Sequence, residues 1–241
     1  MKPIYFISDA HLTGSNNTVE EQCEKHLLDF LKSMAEKGKS LFIIGDLFDF
    51  WFEYRSVIPR RYFKVLFALN ELIRKGVEVH YITGNHDFWV DNFFKEELQI
   101  QIHDRPLDIQ IEGKRFYIAH GDGLAKKDVK YRMLKKVLRF PFHIRLYRFL
   151  HPDLGFALAD FFSRLSRNHQ KIKNIDEEYL DYARARFREG FDGVILGHTH
   201  SPQEYRESDK TYINTGDWMN HFTYGKLERG RLMLEYWPIG K

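Results

Sequence analysis

The chain has 241 residues, 43% hydrophobic and 16% aromatic, with a formal charge of +3. That length and composition suit one folded α/β domain and exclude a disordered or low-complexity protein. A single cysteine, Cys23, excludes an intrachain disulfide and a cysteine-based zinc site, which fits a reducing, cytoplasmic setting. Neither a signal-type leader nor an apolar stretch of about 18 residues that would span a membrane is expected.

In chain order, short apolar runs alternate with helical patterns. Ile4–Ser8 reads as a strand, Glu21–Lys37 as a helix, Leu41–Gly45 as a strand, Arg61–Lys75 as a helix and Val79–Thr83 as a strand. Such a βαβαβ order predicts a largely parallel sheet covered by helices, with functional groups beyond the carboxyl ends of its strands. Leu107–Ile111 and Arg115–Ala119, around Glu112-Gly113, read as a hairpin. From Lys127 to Glu189 the pattern turns helical, with breaks at Pro141, Pro152 and Gly190. Gly193–Leu196 resumes the sheet, and Thr211–Asn214, Phe222–Glu228 and Arg231–Trp237 close the chain as strands. The expected organisation is one domain, 1–241, with a helical insert at 125–189.

Five predicted strands each end in metal-ligand residue types: Asp9-Ala10-His11, Gly45-Asp46-Leu47-Phe48-Asp49, Gly84-Asn85-His86-Asp87, His120-Gly121-Asp122 and Gly197-His198-Thr199-His200. One Asp or His at a strand end is an ordinary cap or turn residue. Five clusters at the same end of successive strands point to a metal centre. Mixed carboxylate, imidazole and amide-oxygen ligands suit Mn²⁺, Fe²⁺, Zn²⁺ or Co²⁺, whereas an all-oxygen cage suits Mg²⁺ or Ca²⁺. Two ions roughly 3.5–4 Å apart, bridged by one carboxylate, match the number of ligands available.

The set D-x-H, G-D-x-x-D, G-N-H-D, H-G-D and G-H-T-H, from Asp9 to His200, resembles the calcineurin-like metallophosphoesterase superfamily. The resemblance implies a β-sandwich flanked by helices, with the helical insert as a lid over a dinuclear metal site. It also implies a ligand set: Asp9, His11, Asp46 and His200 for one ion, and Asp46, Asn85, His120 and His198 for the other. His86 would stabilise developing charge or protonate a leaving oxygen. Asp49 and Asp87 would orient His86 or a neighbouring loop, and Asp122 would orient substrate or a metal-bound water.

A closer similarity is to the UDP-2,3-diacylglucosamine pyrophosphohydrolase family of lipid A biosynthesis. It rests on Gly45-Asp46-Leu47-Phe48-Asp49-Phe50-Trp51, Gly84-Asn85-His86-Asp87-Phe88, His120-Gly121-Asp122-Gly123-Leu124, the helical insert and Gly216-Asp217-Trp218. Many members of that family have Arg in place of His86, and Thr in place of Gly123. The resemblance implies an acylated nucleotide-sugar substrate, two divalent ions with manganese foremost, and substrate contacts at Arg164, Arg167 and Asn168. Another nucleotide or a simple phosphodiester is the alternative substrate. A metal-free scaffold on the same fold would be marked by missing ligands, and none is missing.

The charge distribution bears on the partner. Between Ala125 and Asn174 lie 13 of the 37 Lys and Arg residues but only three of the 34 acidic ones. Lys126, Lys127, Lys130, Arg132, Lys135, Lys136, Arg139, Arg145 and Arg148 are interleaved with Leu, Phe and Tyr. A basic amphipathic insert of this kind suits an anionic substrate or peripheral contact with an anionic membrane surface on the cytoplasmic face. With no nucleic-acid module in view, nucleic acid is not the expected partner.

Overall fold

The computed structural model describes residues 2–14, 17–90, 92–124, 140–167 and 175–238, with the side chains of 141 and 160–167 excepted. Within these, the chain forms two mixed sheets packed face to face between helices. Strands β1 (Ile4–Ile7), β2 (Ser40–Ile44) and β3 (Glu78–Ile82) run parallel, and β4 (Gln101–His103) extends them in parallel beside β3. The C-terminal β10 (Thr223–Glu228) and β11 (Arg231–Tyr236) close the other edge, giving the order β11-β10-β1-β2-β3-β4.

The second sheet is built from β5 (Leu107–Ile111), β6 (Lys114–Ile118), β7 (Gly193–Leu196), β8 (Gln203–Glu207) and β9 (Lys210–Asn214), in the order β5-β6-β7-β9-β8. Its central β6, β7 and β9 are parallel, and its two edges are antiparallel hairpin strands.

Each central strand is apolar on both faces because both are covered. Phe6, Phe42, Ile44, Ile82, Ile118, Ile195 and Ile213 meet between the sheets. Their neighbours in sequence, Tyr5, Ile7, Leu41, Ile43 and Tyr81, face helices α1 (Thr18–Lys37) and α2 (Phe63–Arg74). Helix α1 buries Cys23, Leu27, Phe30, Leu31 and Met34, a stripe at helical spacing, and its first turn is capped by the Asn17 side chain on the Glu20 amide at 2.9 Å.

Between β6 and β7, the prolines expected as breaks each open a helix, α3 (Pro141–Tyr147) and α4 (Pro152–Arg167), as their fixed φ and missing N–H allow. Helix α5 (Ile175–Arg188) is a core layer: Tyr179, Ala183 and Phe187 are buried against Tyr117, Val194 and Tyr212 on the outer face of the second sheet. Edge strands β4 and β8 were not predicted, since neither shows an apolar run.

Candidate metal centre

The strands β1, β2, β3, β6 and β7 deliver their terminal clusters to one end of the sandwich, where both sheets present carboxyl ends. Chain direction there reverses so tightly that five non-glycine residues take left-handed backbone: Asp9 (φ 53°), His11 (42°), Asp46 (53°), His198 (72°) and His200 (58°). Each such residue costs on the order of 1–3 kcal/mol, and such strain concentrates at functional sites. Cross-loop hydrogen bonds hold it, with the Asp9 amide donating to Gly45 O at 3.1 Å and the His11 amide to Asp46 O at 2.9 Å. Glycine is required at 84, because a Cβ there would collide with Asp46 Oδ1 and sit 2.6 Å from the Asp46 amide nitrogen.

Three clusters of donor atoms converge: Asp9, His11 and His200; Asp46, His120 and His198; and His11, Asp46 and His86. Asp46 connects them. Its Oδ2 lies 3.3 Å from His120 Nε2 and 3.6 Å from His11 Nε2, while Oδ1 accepts the His86 amide at 2.9 Å. Asp9 Oδ1 lies 3.6 Å from both His11 Nε2 and His200 Nε2. Asn85 Oδ1 accepts from His120 Nε2 at 3.0 Å.

Surrounding groups aim these donors. His120 Nδ1 donates to Ile44 O at 2.8 Å, which turns Nε2 toward Asp46. Asp9 Oδ2 accepts from the Ser8 hydroxyl and, at 2.8 Å, from the His198 amide. That leaves Asp9 Oδ1 buried with no hydrogen-bond partner, and both ring nitrogens of His11 are in the same state. Buried polar atoms without partners are costly, and a cation between them resolves the cost. The donor set therefore fits a divalent metal centre.

Electrostatics point the same way. Burial alone would push the His11 imidazolium pKa down, but the side chains of Asp49 and Asp9 and the charge of Asp46 hold it up at about 10. Burial likewise opposes a proton on His120, and the adjacent Asp46 outweighs it, again giving about 10. By contrast, burial and the neighbouring His120 charge push His198 down to about 4. These opposite directions predict that His11 and His120 hold a proton before metal binds while His198 does not.

Metal loading at pH 8 should accordingly release about two protons, and apparent affinity should fall as the pH drops. Titration of metal into weakly buffered protein with a pH indicator measures this. Uptake without proton release would show that the two rings are neutral before metal enters.

The remaining expected site residues fall differently. Asp49 Oδ1 lies 3.5 Å from His11 Nδ1 and 3.7 Å from His86 Nδ1, and the Asp49 carbonyl accepts from His86 Nδ1 at 2.9 Å. Asp87 does not hold His86. Its buried carboxylate accepts the Leu47 amide at 2.8 Å, the Gly84 amide at 2.9 Å and the Tyr81 hydroxyl, so it ties two ligand loops together. Asp122 acts electrostatically on His120 and His198 and lines a recess with Thr83 and Arg105. Asn168, the cations from Lys126 to Arg139 and the side chains of Arg164 and Arg167 lie outside the described residues.

Two contributors were given no role from the sequence, although Gly216-Asp217-Trp218 was among the segments that carry the resemblance. Ser8 bonds Asp9 and, at 2.7 Å, Thr215. Asp217, buried, accepts the amides of Met219, Asn220 and His221 and lies 4.0 Å from His200 Nδ1. The available signal was its place: Gly216-Asp217 follows β9, a further parallel strand ending at the same rim.

Comparison with known proteins agrees with this geometry. The family model for calcineurin-like phosphoesterases matches residues 2–202, which contain every ligand-bearing loop. The chain belongs to that family. This phosphoesterase is 32% identical to the UDP-2,3-diacylglucosamine hydrolase of Porphyromonas gingivalis, over 96% of each chain. It is 31% identical to the protein of the same name from Nitrosococcus oceani, over 98% of its own length and 88% of the relative's. With that of Haemophilus ducreyi it shares 30% identity over 90% of its length and 92% of the relative's. The phosphoesterase is a metal-dependent hydrolase of phosphoester or pyrophosphate bonds. None of its described helices is long and apolar enough to cross a membrane.

Proposed function

We propose that the enzyme hydrolyses the diphosphate of UDP-2,3-diacylglucosamine to UMP and 2,3-diacylglucosamine 1-phosphate. Similarity to hydrolases named for that substrate along nearly the whole chain, and not only at the ligand motifs, carries the reading. One ion would be held by Asp9, His11, Asp46 and His200, and the other by Asp46, Asn85, His120 and His198. Manganese is the preferred occupant, and iron, cobalt or zinc suit the same donors. When bound, such ions supply Lewis acidity toward phosphoryl oxygens and lower the pKa of water.

The protein's own part begins with orientation. Asp46, Asp9 and the carbonyl of Ile44 set the imidazole directions, and Asp49 fixes the ring of His86. That ring stands edge-on to His11, with centroids 4.7 Å apart, and remains partly open to solvent. Its proposed role is to stabilise charge on a phosphoryl oxygen or to protonate the departing one. Water adds to phosphorus, the bridging P–O bond breaks with its electron pair on the leaving phosphate, and one proton is released.

Asp122, Arg164, Arg167 and Asn168 are proposed to contact the nucleotide-sugar. Exposed Phe140, Phe142, Leu146 and Phe149 beside Arg145 and Arg148 support peripheral contact with an anionic membrane surface, on the cytoplasmic face.

Incubation with the diacylated substrate and Mn²⁺, followed by mass spectrometry, should yield UMP and the acylated sugar 1-phosphate in equal amounts. Release of UDP and a free sugar would contradict the assignment. His86→Ala should lower kcat by about 10²–10³-fold with metal content unchanged, the loss typical of one stabilising group. If that variant lost metal, His86 would be a ligand, as its place beside His11 and Asp46 permits.

A further inference from the structure

Helix α4 meets the ligand loops through Phe156. The ring of Phe156 packs edge-to-face on Phe50, at 5.4 Å and 81°, and Phe50 directly follows Asp49. The guanidinium of Arg61 lies over the same Phe156 ring, 4.5 Å from its centroid. Arg61 stands just before α2, and it also donates from Nη1 to the carbonyl of Thr13 at 2.5 Å. Thr13 lies two residues beyond His11. The stem of Arg61 crosses Gly14 so closely that a Cβ at 14, where φ is +67°, would sit 2.6 Å from Arg61 Cδ. One side chain therefore touches both the loop that carries the first pair of ligands and the helix of the insert.

Further contacts register the helix on the same spot. Gly155 is buried, and a Cβ there would collide with the Tyr54 hydroxyl, while the Tyr147 hydroxyl donates to Gly155 O at 2.5 Å. The helix can thus lie flat on the aromatic loop only where residue 155 has no side chain, and Phe156 then falls between Phe50 and Arg61. A guanidinium suits this place because its plane stacks on a ring while its N–H groups bond in that plane, and an ammonium cannot do both.

We infer that Arg61 is a positioning residue that pins helix α4 beside the metal loops and so sets the preference for a bulky acylated substrate over a small diester. The substrate part rests on the proposed function, and the pinning part does not.

Hydrogen exchange of the peptide covering residues 152–160, read by mass spectrometry on the Mn²⁺-loaded enzyme, tests the pin. Arg61→Met should speed exchange roughly 5- to 30-fold, the range of a partly desolvated cation–π contact. Phe156→Ala should do the same, and the double variant should exchange no faster than the faster single one. Arg61→Lys should recover part of the protection. The kcat/KM for the diacylated substrate should fall by a similar factor in Arg61→Met, with manganese content and turnover of a nitrophenyl phosphodiester unchanged.

Unchanged exchange in Arg61→Met, or multiplied effects in the double variant, would overturn the inference. Should the wild-type enzyme cleave the acylated substrate no faster than the diester, the substrate assignment would fail, and the exchange measurements would still decide whether Arg61 pins the helix.

Discussion

Asp46→Ala should lower turnover by at least about 10⁴-fold and remove metal from both positions together, because in the proposed arrangement a single carboxylate serves both. No other acid can take over its place. Asp46 is fully enclosed, with one oxygen facing His120 and His11 and the other bonded to the His86 amide. The adjacent cationic imidazoles hold its carboxyl well below the usual range despite burial, so it is charged throughout the working pH range. Its left-handed backbone and the missing side chain at Gly84 exist to let that group approach.

Asp46→Asn keeps an oxygen for the His86 amide but removes the charge, and should therefore retain the fold while losing most metal affinity. Metal content of dialysed protein, with circular dichroism to confirm folding, reads both variants. Two tightly bound ions and near-normal turnover in folded Asp46→Ala would dismiss the shared-carboxylate arrangement.

How far the sequence disclosed this site depends on the kind of residue. Buried strands were legible because Ile4–Ile7 and Ser40–Ile44 are covered on both faces and so read as short apolar runs. Strand Gln203–Glu207 was not, because it lies at a sheet edge with Glu204, Arg206 and Glu207 along it.

The candidate donors were legible as chemistry at strand ends, but their meeting was not. Asp9, Asp46 and Asn85 come from one sheet, while His120 and His198 come from the other, and no local pattern specifies how two sheets stack. Asp87 illustrates the limit: the motif left open whether it orients His86 or a neighbouring loop, and its carboxylate faces the Leu47 and Gly84 amides, on the loops. Arg61 had no sequence signal, since its role depends on a helix nearly a hundred residues later.

A UDP-diacylglucosamine should be cleaved at least about 10³-fold more efficiently than the same nucleotide-sugar without acyl chains. A metal centre that sees only phosphoryl oxygens cannot distinguish the two. The insert can. Beside the centre, Phe50, Phe52, Trp89, Tyr147 and Phe156 form a continuous aromatic floor, with Phe50 and Phe156 5.4 Å apart and Phe52 and Tyr147 4.7 Å apart. The insert helices also leave Phe140, Phe142, Leu146, Phe149, Leu154 and Leu158 exposed, apolar surface that an acyl chain can cover.

Each buried methylene is worth about 0.8 kcal/mol, so five or six of them account for a 10³-fold difference. Binding energy gained far from phosphorus holds the diphosphate in place and appears as rate. The decisive measurement is kcat/KM with Mn²⁺ in detergent for the diacylated substrate, its deacylated counterpart and a nitrophenyl phosphodiester. The acylated substrate should exceed both others by about three orders of magnitude, as remote binding energy on this scale requires, and equal values for all three, or a preference for the diester, would contradict the account.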